Sequence, residues 1–195
     1  MNTYTPKIIL SILMIYGNIL SAQQLSPPHF SSRGSQFIST GIGLFPTFLK
    51  DGGDLLIPPT SLLYEKKIKD HLSIGGSLGF SNTLSKVYYG AASEFKAYEN
   101  RFYYFNIRSG GHCILYKNWD FYGGGSIGYY LLKMKAQMGT FGDFEHHRGI
   151  KEQSGKIVWN AYVGLRYNCC NRLVFHGELS YGISILNFGI GFKLE

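Results

Sequence analysis

The residue types that could do chemistry fall on one face of a short alternating stretch. In the segment RLVFHGELSYG, His176, Glu178 and Ser180 occupy every second position. Serine and histidine side chains cooperate in hydrolysis when the imidazole accepts the serine proton. In an extended chain, neighbouring side chains on one face lie about 6.5–7 Å apart, which is long for a direct hydrogen bond. The spacing therefore predicts a polar row and not a catalytic pair, and we expect no enzyme activity.

Two further motifs carry weak signals of a binding site. Gly123, Gly125 and Gly128 form a G-x-G-x-x-G run, but a dinucleotide site needs that run in a turn between a strand and a helix. Here the run lies inside an alternating segment that continues into YYLLKMK. The segment GDFEHHRG holds metal-capable side chains, but adjacent histidines point apart in an extended chain. We therefore predict neither a cofactor nor a metal site.

Eight predicted strands must position these residues. Alternating stretches cover residues 36–48, 60–69, 71–81, 101–115, 119–133, 156–167, 172–182 and 184–194. Tight turns at KDH, YKN and NCCN alternate with longer links, so short and long connections lie at opposite ends. The link GIS between the last two strands departs from this pattern because it is short. An even strand number and two unlike ends are typical of a closed transmembrane β-barrel.

The stretch HLSIGGSLGFS decides which face of the strands is the inside. Leu72, Ile74, Leu78 and Phe80 alternate with serine and glycine. In a soluble, lipocalin-like barrel the apolar face would point inward, and the Ser/Gly face would meet water almost without Lys or Glu. We therefore predict that the apolar face contacts lipid and that small and polar side chains line the interior. Two aromatic girdles are predicted on the outer face, from Tyr64, Tyr116, Trp119 and Tyr167 at one end and from Tyr103, Tyr129, Trp159 and Tyr181 at the other.

The N-terminal residues 1–22 are typical of a signal peptide. Lys7 precedes an apolar run that is too short for a spanning helix, and Ser21 and Ala22 fit a cleavage site. Residues 23–35 then predict a flexible periplasmic leader, and residues 36–195 predict the barrel. The three cysteines are odd in number and two are adjacent, so no disulfide framework is predicted.

The signal peptide, the strand alternation, the unequal connections and the closing segment SILNFGIGFKLE resemble the small OmpA/OmpX-like outer-membrane β-barrels of Gram-negative bacteria. The resemblance covers residues 36–195. It implies an all-β, closed antiparallel transmembrane barrel of about eight strands, integral to the outer membrane after export through the inner membrane. Members of that family commonly end on an aromatic residue, whereas Phe192 is followed here by three further residues.

A charged interior is predicted for such a barrel. Glu65, Arg108, Arg166, His176 and Glu178 share the strand face that carries serine and glycine. Buried charges must be paired, and an eight-stranded barrel is only wide enough for side chains. We expect Arg108 to meet Glu178 near mid-height, with Arg166 and Glu65 lower.

The formal charge of +7 indicates anionic partners at the membrane surface. Nucleic acid is excluded because no helix or loop collects the charge into a stripe. Five basic residues near the longest outer link form a candidate site for lipopolysaccharide phosphates: Lys133, Lys135, Arg148, Lys151 and Lys156. A merely solvated loop is the alternative reading of this modest excess.

The leading functional hypothesis is a non-enzymatic barrel with an envelope-supporting or surface-recognition role. The alternative is a narrow porin, or an accessory subunit of a larger outer-membrane secretion or uptake complex. A lipid-modifying barrel enzyme is a third, weaker hypothesis, because His176 and Ser180 are too far apart.

Overall fold

The computed structural model describes residues 33–47, 53–89, 94–116, 118–138, 151–169 and 172–194. Its eight strands are β1 (Gln36–Gly43), β2 (Asp54–Lys69), β3 (Leu72–Tyr89), β4 (Glu94–Tyr116), β5 (Trp119–Met138), β6 (Gln153–Asn168), β7 (Leu173–Ser180) and β8 (Leu186–Leu194). They form one closed antiparallel barrel in sequence order, with β8 paired to β1. The predicted fold class is confirmed. The predicted signal peptide and most of the predicted leader lie outside the described residues, among which no helix is long and apolar enough to cross a membrane.

The register tilts the strands relative to the barrel axis. Starting at Thr40 and following paired residues through β2 to β5 leads to Ile157 on β6. Following them the other way, through β8 and β7, leads to Tyr167, ten residues further along the same strand. A barrel with this stagger has strands tilted by about 40°, so about ten residues of each strand cross an apolar layer of roughly 25 Å.

The polarity of the barrel is inverted relative to a soluble protein. Ile127, Val163 and Ile190, which a soluble barrel would bury together, are 39%, 38% and 38% exposed on the outer face. Buried apolar side chains gather, within the described residues, in a small cluster of Phe37, Leu63 and Val174. The exterior therefore suits lipid, and the interior is left to polar groups.

Aromatic side chains lie on the exterior towards both ends. Trp119 and Tyr167 pack against each other near the tight-turn end, with ring centroids 4.7 Å apart. Trp159 and Tyr181 are strongly exposed towards the opposite end, which we call the outer end because the longer connections lie there. Amphipathic rings in such positions suit the boundary between hydrocarbon and headgroups.

Five strands are longer at the outer end than the sequence pattern predicts. Residues 54–59, expected in the first outer loop, belong to β2, and β3 and β4 remain paired from Tyr89↔Glu94 downward. The prediction failed because a backbone ladder with a neighbouring strand stabilises extended chain even where apolar alternation stops. The first strand is shorter than expected and ends at Gly43. Strands β2 to β6 therefore project beyond β1, β7 and β8.

The unexpectedly short link between β7 and β8 folds over the outer mouth of the barrel. The Ile183 side chain is buried and packs against Gly79 of β3. A Cβ atom added to Gly79 would lie only 2.9 Å from Cδ1 of Ile183. The Ile183 carbonyl accepts a hydrogen bond from the Thr47 amide at 3.2 Å, and the Ser184 hydroxyl accepts one from the Phe45 amide at 3.1 Å. The link is short because it closes the barrel instead of projecting from it.

Candidate functional site

A bidentate ion pair crosses the interior near mid-height. Arg108 on β4 donates to Glu178 on β7, with Nη1 to Oε1 at 3.2 Å and Nη2 to Oε2 at 2.7 Å. The Tyr122 hydroxyl donates to the same carboxylate at 3.2 Å. The Arg108 guanidinium also lies over the Tyr162 ring, 3.5 Å from its centroid. All these side chains occupy inward positions of their strands, so the alternating pattern alone brings them to the centre.

A second bidentate pair lies nearer the tight-turn end. Arg166 on β6 donates to Glu65 on β2 at 2.9 and 3.0 Å. Its guanidinium lies between the rings of Phe37 and Tyr122, 4.3 and 4.2 Å from their centroids. Glu65 Oε2 is also 3.9 Å from Arg108 Nε, which links the two pairs. The interior thus contains one connected layer of charges enclosed by aromatic rings.

The sequence analysis missed a third part of this network. His112 Nδ1 lies 2.9 Å from Asp120 Oδ2, while its Nε2 lies 2.8 Å from Ser73 Oγ and 3.2 Å from Glu65 Oε1. Lys67 Nζ is 3.9 Å from Asp120. The inward parity of these residues was the signal that could have found them, since they lie on the same strand face as the inward glycines and serines.

The order Ser73–His112–Asp120 resembles a hydrolytic triad, but its surroundings do not favour nucleophilic catalysis. Ser73 is 1% exposed, and neither interior cavity is lined by it. The Glu65 carboxylate also lies 3.2 Å from Nε2 of His112, so the ring is held between two carboxylates and its Nε2 contact is not exclusive to Ser73. Within the described part of the chain, no group of three His, Cys, Asp or Glu side chains is arranged to hold a metal ion.

His176 and Ser180, the pair considered from the sequence, do not meet. The His176 ring contacts the edge of Phe37, with centroids 6.0 Å apart. The Ser180 hydroxyl instead donates to the Ser184 carbonyl at 3.4 Å. The structure places both side chains in the interior as parts of a polar row.

The charged layer divides the interior into two small cavities of about 40 Å³ each. The outer cavity is lined by Arg108 and Glu178 and roofed by Ile183, whereas the inner one is lined by Glu65 and Arg166. The two cavities share no lining residue. The arrangement can therefore hold a few small polar molecules on either side of the layer.

The predicted basic residues divide between the two faces of their strands. Lys133 and Lys135 are exposed on the outer face of β5, whereas Lys156 lies on the opposite face of β6 from Trp159. Lys151 is exposed, and Arg148 lies outside the described residues. Register adds two residues that the sequence analysis missed, since Arg101 lies opposite Lys133, and Glu99 lies opposite Lys135.

Glu99 organises the outer face of these strand extensions. Its carboxylate accepts hydrogen bonds from Arg101 Nε at 2.7 Å, Asn82 Nδ2 at 2.8 Å and Gln137 Nε2 at 3.0 Å. The hydrogen bond from Arg101 lowers the pKa of Glu99 to about 2, so this carboxylate is ionised at neutral pH. Glu99 is thereby engaged by three hydrogen bonds, whereas the neighbouring Lys133 and Lys135 are exposed.

Comparison with known proteins gives a fold. No family model and no curated protein matches the chain. Ail, the attachment invasion locus protein of Yersinia pestis, in a complex with sucrose octasulfate, matches with a TM-score of 0.50 and 18% identity over 83% of this chain and 99% of that chain. The outer membrane protein OprG from Pseudomonas aeruginosa matches with a TM-score of 0.60 and 10% identity over 86% of this chain and 99% of that chain. The chain has the fold of the small outer-membrane β-barrels.

Proposed function

We propose that the protein is a non-enzymatic, integral outer-membrane barrel whose interior is sealed by paired side chains. Its role is to support the envelope or to present its outer strands and loops for recognition. The layer formed by Arg108–Glu178 and Arg166–Glu65 is the single observation that carries this proposal.

The energetics favour a sealed state. Opening an axial path requires separating a buried, bidentate pair, and removing one partner of such a pair costs about 3–5 kcal/mol. The aromatic rings beside both guanidinium groups restrict the side-chain positions that an open state would need. The interior of a barrel of about eight strands is only wide enough for side chains, so they cannot move aside to open a channel.

The location follows from the same inverted polarity. An apolar exterior about as tall as a hydrocarbon layer needs lipid, and a signal peptide directs export through the inner membrane. Lipid and lipopolysaccharide are then the partners in contact with the exterior. The projecting part of β2 to β6 is the surface available to a partner outside the cell.

Conductance recorded in a planar bilayer tests the sealed interior. The wild-type barrel should give no steady open state. The variant Arg108→Ala, Glu178→Ala should also stay closed, because Arg166–Glu65 and Ile183 still close the interior. Removing both ion pairs together with Ile183→Gly should give conductance, provided that heat-modifiability on gels shows the variant folded. Lys69→Gln, at the exposed tight-turn end, serves as the control and should stay closed. A large, steady conductance from the wild-type protein would contradict the proposal and favour the narrow porin.

Two further measurements address the other hypotheses. Membrane lipids should be unchanged by His176→Ala or Ser73→Ala, and a change in lipid composition would indicate the lipid-modifying enzyme. Gentle detergent extraction should yield the barrel without a stoichiometric larger partner, and stable co-purification with one would indicate an accessory subunit.

A further inference from the structure

The outer face changes from apolar to charged within one step of register. Paired residues Thr60, Phe80, Tyr103 and Leu131 lie side by side across β2 to β5. The next paired set outward is Ile57, Asn82, Arg101 and Lys133, so the change to charge occurs on β4 and β5, whereas β2 keeps an exposed apolar residue. In a barrel that spans a membrane, so abrupt a change marks the level at which hydrocarbon meets headgroups.

Among the described residues on the outer face near that level, three cations, Arg101, Lys133 and Lys135, accompany two carboxylates, Glu99 and Asp54, which lie in the register row of Lys135. Arg101 and Lys133 lie directly opposite each other, which is unfavourable for like charges unless an anion lies between them. Glu99 offsets one of the three cations Arg101, Lys133 and Lys135, and it already accepts three hydrogen bonds. The Arg101 side chain is 43% exposed, and its Nε donates to the Glu99 carboxylate.

An apolar groove lies directly below these cations. It has a volume of about 590 Å³ and is lined by Leu62, Leu78, Phe80, Tyr103 and Tyr129, among others. The Phe80 and Tyr103 rings form part of its wall, with centroids 5.2 Å apart. Because the groove is on the lipid-facing side, its natural occupant is an acyl chain whose headgroup is at the level of Arg101 and Lys133.

We propose that Arg101, Lys133 and Lys135 bind the phosphates of a phosphorylated glycolipid of the lipid A class, whose acyl chains lie in the groove. This deepens the proposed function and rests on an outer-membrane location. Lys133 and Lys135 project from the same face of β5 about 6.5–7 Å apart, and Arg101 lies opposite Lys133, so three cations can reach one headgroup. A headgroup with two phosphates carries more negative charge than a single phosphodiester, and we expect it to gain more from a cluster of three cations. Guanidinium and ammonium groups supply charge-assisted hydrogen bonds to phosphate oxygens.

Native mass spectrometry of the full-length barrel tests the site. The protein is incubated in detergent with equimolar diphosphoryl lipid A, dephosphorylated lipid A and phosphatidylglycerol, and the bound lipid is counted. The wild type should retain one diphosphoryl lipid A. The double variant Arg101→Gln, Lys133→Gln should lose it by roughly a hundredfold, since each lost charge-assisted contact lowers affinity about tenfold. The control Lys66→Gln, Lys69→Gln removes the same charge from the tight-turn end and should bind as the wild type does.

Each remaining outcome overturns the proposal. Equal retention by the double variant and its control would show that these cations do not form a site. Equal retention of dephosphorylated lipid A or phosphatidylglycerol by the wild type would show that two phosphates are not recognised. Heat-modifiability on gels and outer-membrane fractionation of every variant show separately whether the barrel still folds and inserts, so failure of the lipid site is distinguishable from failure of the proposed function.

Discussion

Separating the two members of the mid-height ion pair gives the strongest test of how the interior is held. Arg108→Met leaves the Glu178 carboxylate with the Tyr122 hydroxyl as a hydrogen-bond donor. Glu178→Leu leaves Arg108 with the Tyr162 ring, 3.5 Å away, and with Glu65 at 3.9 Å. Removal of one partner of a buried pair destabilises a protein by about 3–5 kcal/mol. The Glu178 carboxylate left by Arg108→Met has fewer stabilising contacts than the Arg108 guanidinium left by Glu178→Leu. We therefore expect Arg108→Met to cost an amount near the upper end of that range and Glu178→Leu an amount near the lower end.

The double variant should recover most of the loss. With both charges replaced by apolar side chains of similar size, no uncompensated charge is left, and such replacements are often neutral or stabilising. The two single effects should therefore be strongly non-additive, with a coupling energy of about 3 kcal/mol or more.

Urea unfolding from lipid vesicles, followed by the fluorescence of Trp119 and Trp159, measures the four free energies of unfolding. Lys69→Met is the control for loss of an exposed cation and should change stability by less than about 0.5 kcal/mol. Additive single effects, or single effects no larger than that of the control, would refute the view that this pair is a desolvated and specific part of the interior.

Two further predictions concern the two faces of the wall. Gly124→Ala should destabilise the barrel by roughly 1–3 kcal/mol in the same urea assay, because a Cβ there collides with the Ser109 carbonyl oxygen. Gly125→Ala, whose Cβ would have its nearest contact at 3.8 Å, should be tolerated. Equal effects of the two substitutions would contradict the assigned faces. Ile107→Lys near the middle of the lipid-facing side should cost about 2–4 kcal/mol and Ile157→Lys near the outer boundary about 0–1 kcal/mol, and the reverse order would misplace the membrane.

The barrel fold could be predicted because the signals for it, alternation within a strand and tight turns between strands, each lie within a short stretch of sequence. Alternation in HLSIGGSLGFS assigns each side chain to a face without reference to any other strand. Tight turns at KDH, YKN and NCCN set neighbouring strands antiparallel. The outer ends of β2 to β6 could not be predicted in this way, because apolar alternation is lost there, as in the run Leu55, Leu56 and Ile57 of β2. The backbone ladder between strands, not the side-chain pattern, maintains the extended chain.

The interior was predictable in part for the same reason. Inward parity placed Arg108 and Glu178 in one space, and the structure brings them together. It could not show which partners lie at one height, because height depends on the stagger accumulated around the whole barrel. His112 and Asp120 were overlooked for that reason, although both lie on inward positions.

The inverted exterior also explains why the interior is charged. Once the large apolar side chains face lipid, few remain to fill the centre, so arginine, glutamate and tyrosine side chains must fill it and satisfy one another. The charges collect at and below mid-height, whereas His176 Nδ1, Asn106 Oδ1 and Asn187 Oδ1, which have no hydrogen-bond partner among the described residues, line the outer cavity. The lower interior is therefore filled mainly by ion pairs, whereas the outer cavity, which Ile183 also lines, is left mainly to neutral polar groups. On the proposed function, a sealed axis is not available for recognition, and we expect partners to bind on the projecting sheet of β2 to β6, with its cations at the lipid boundary.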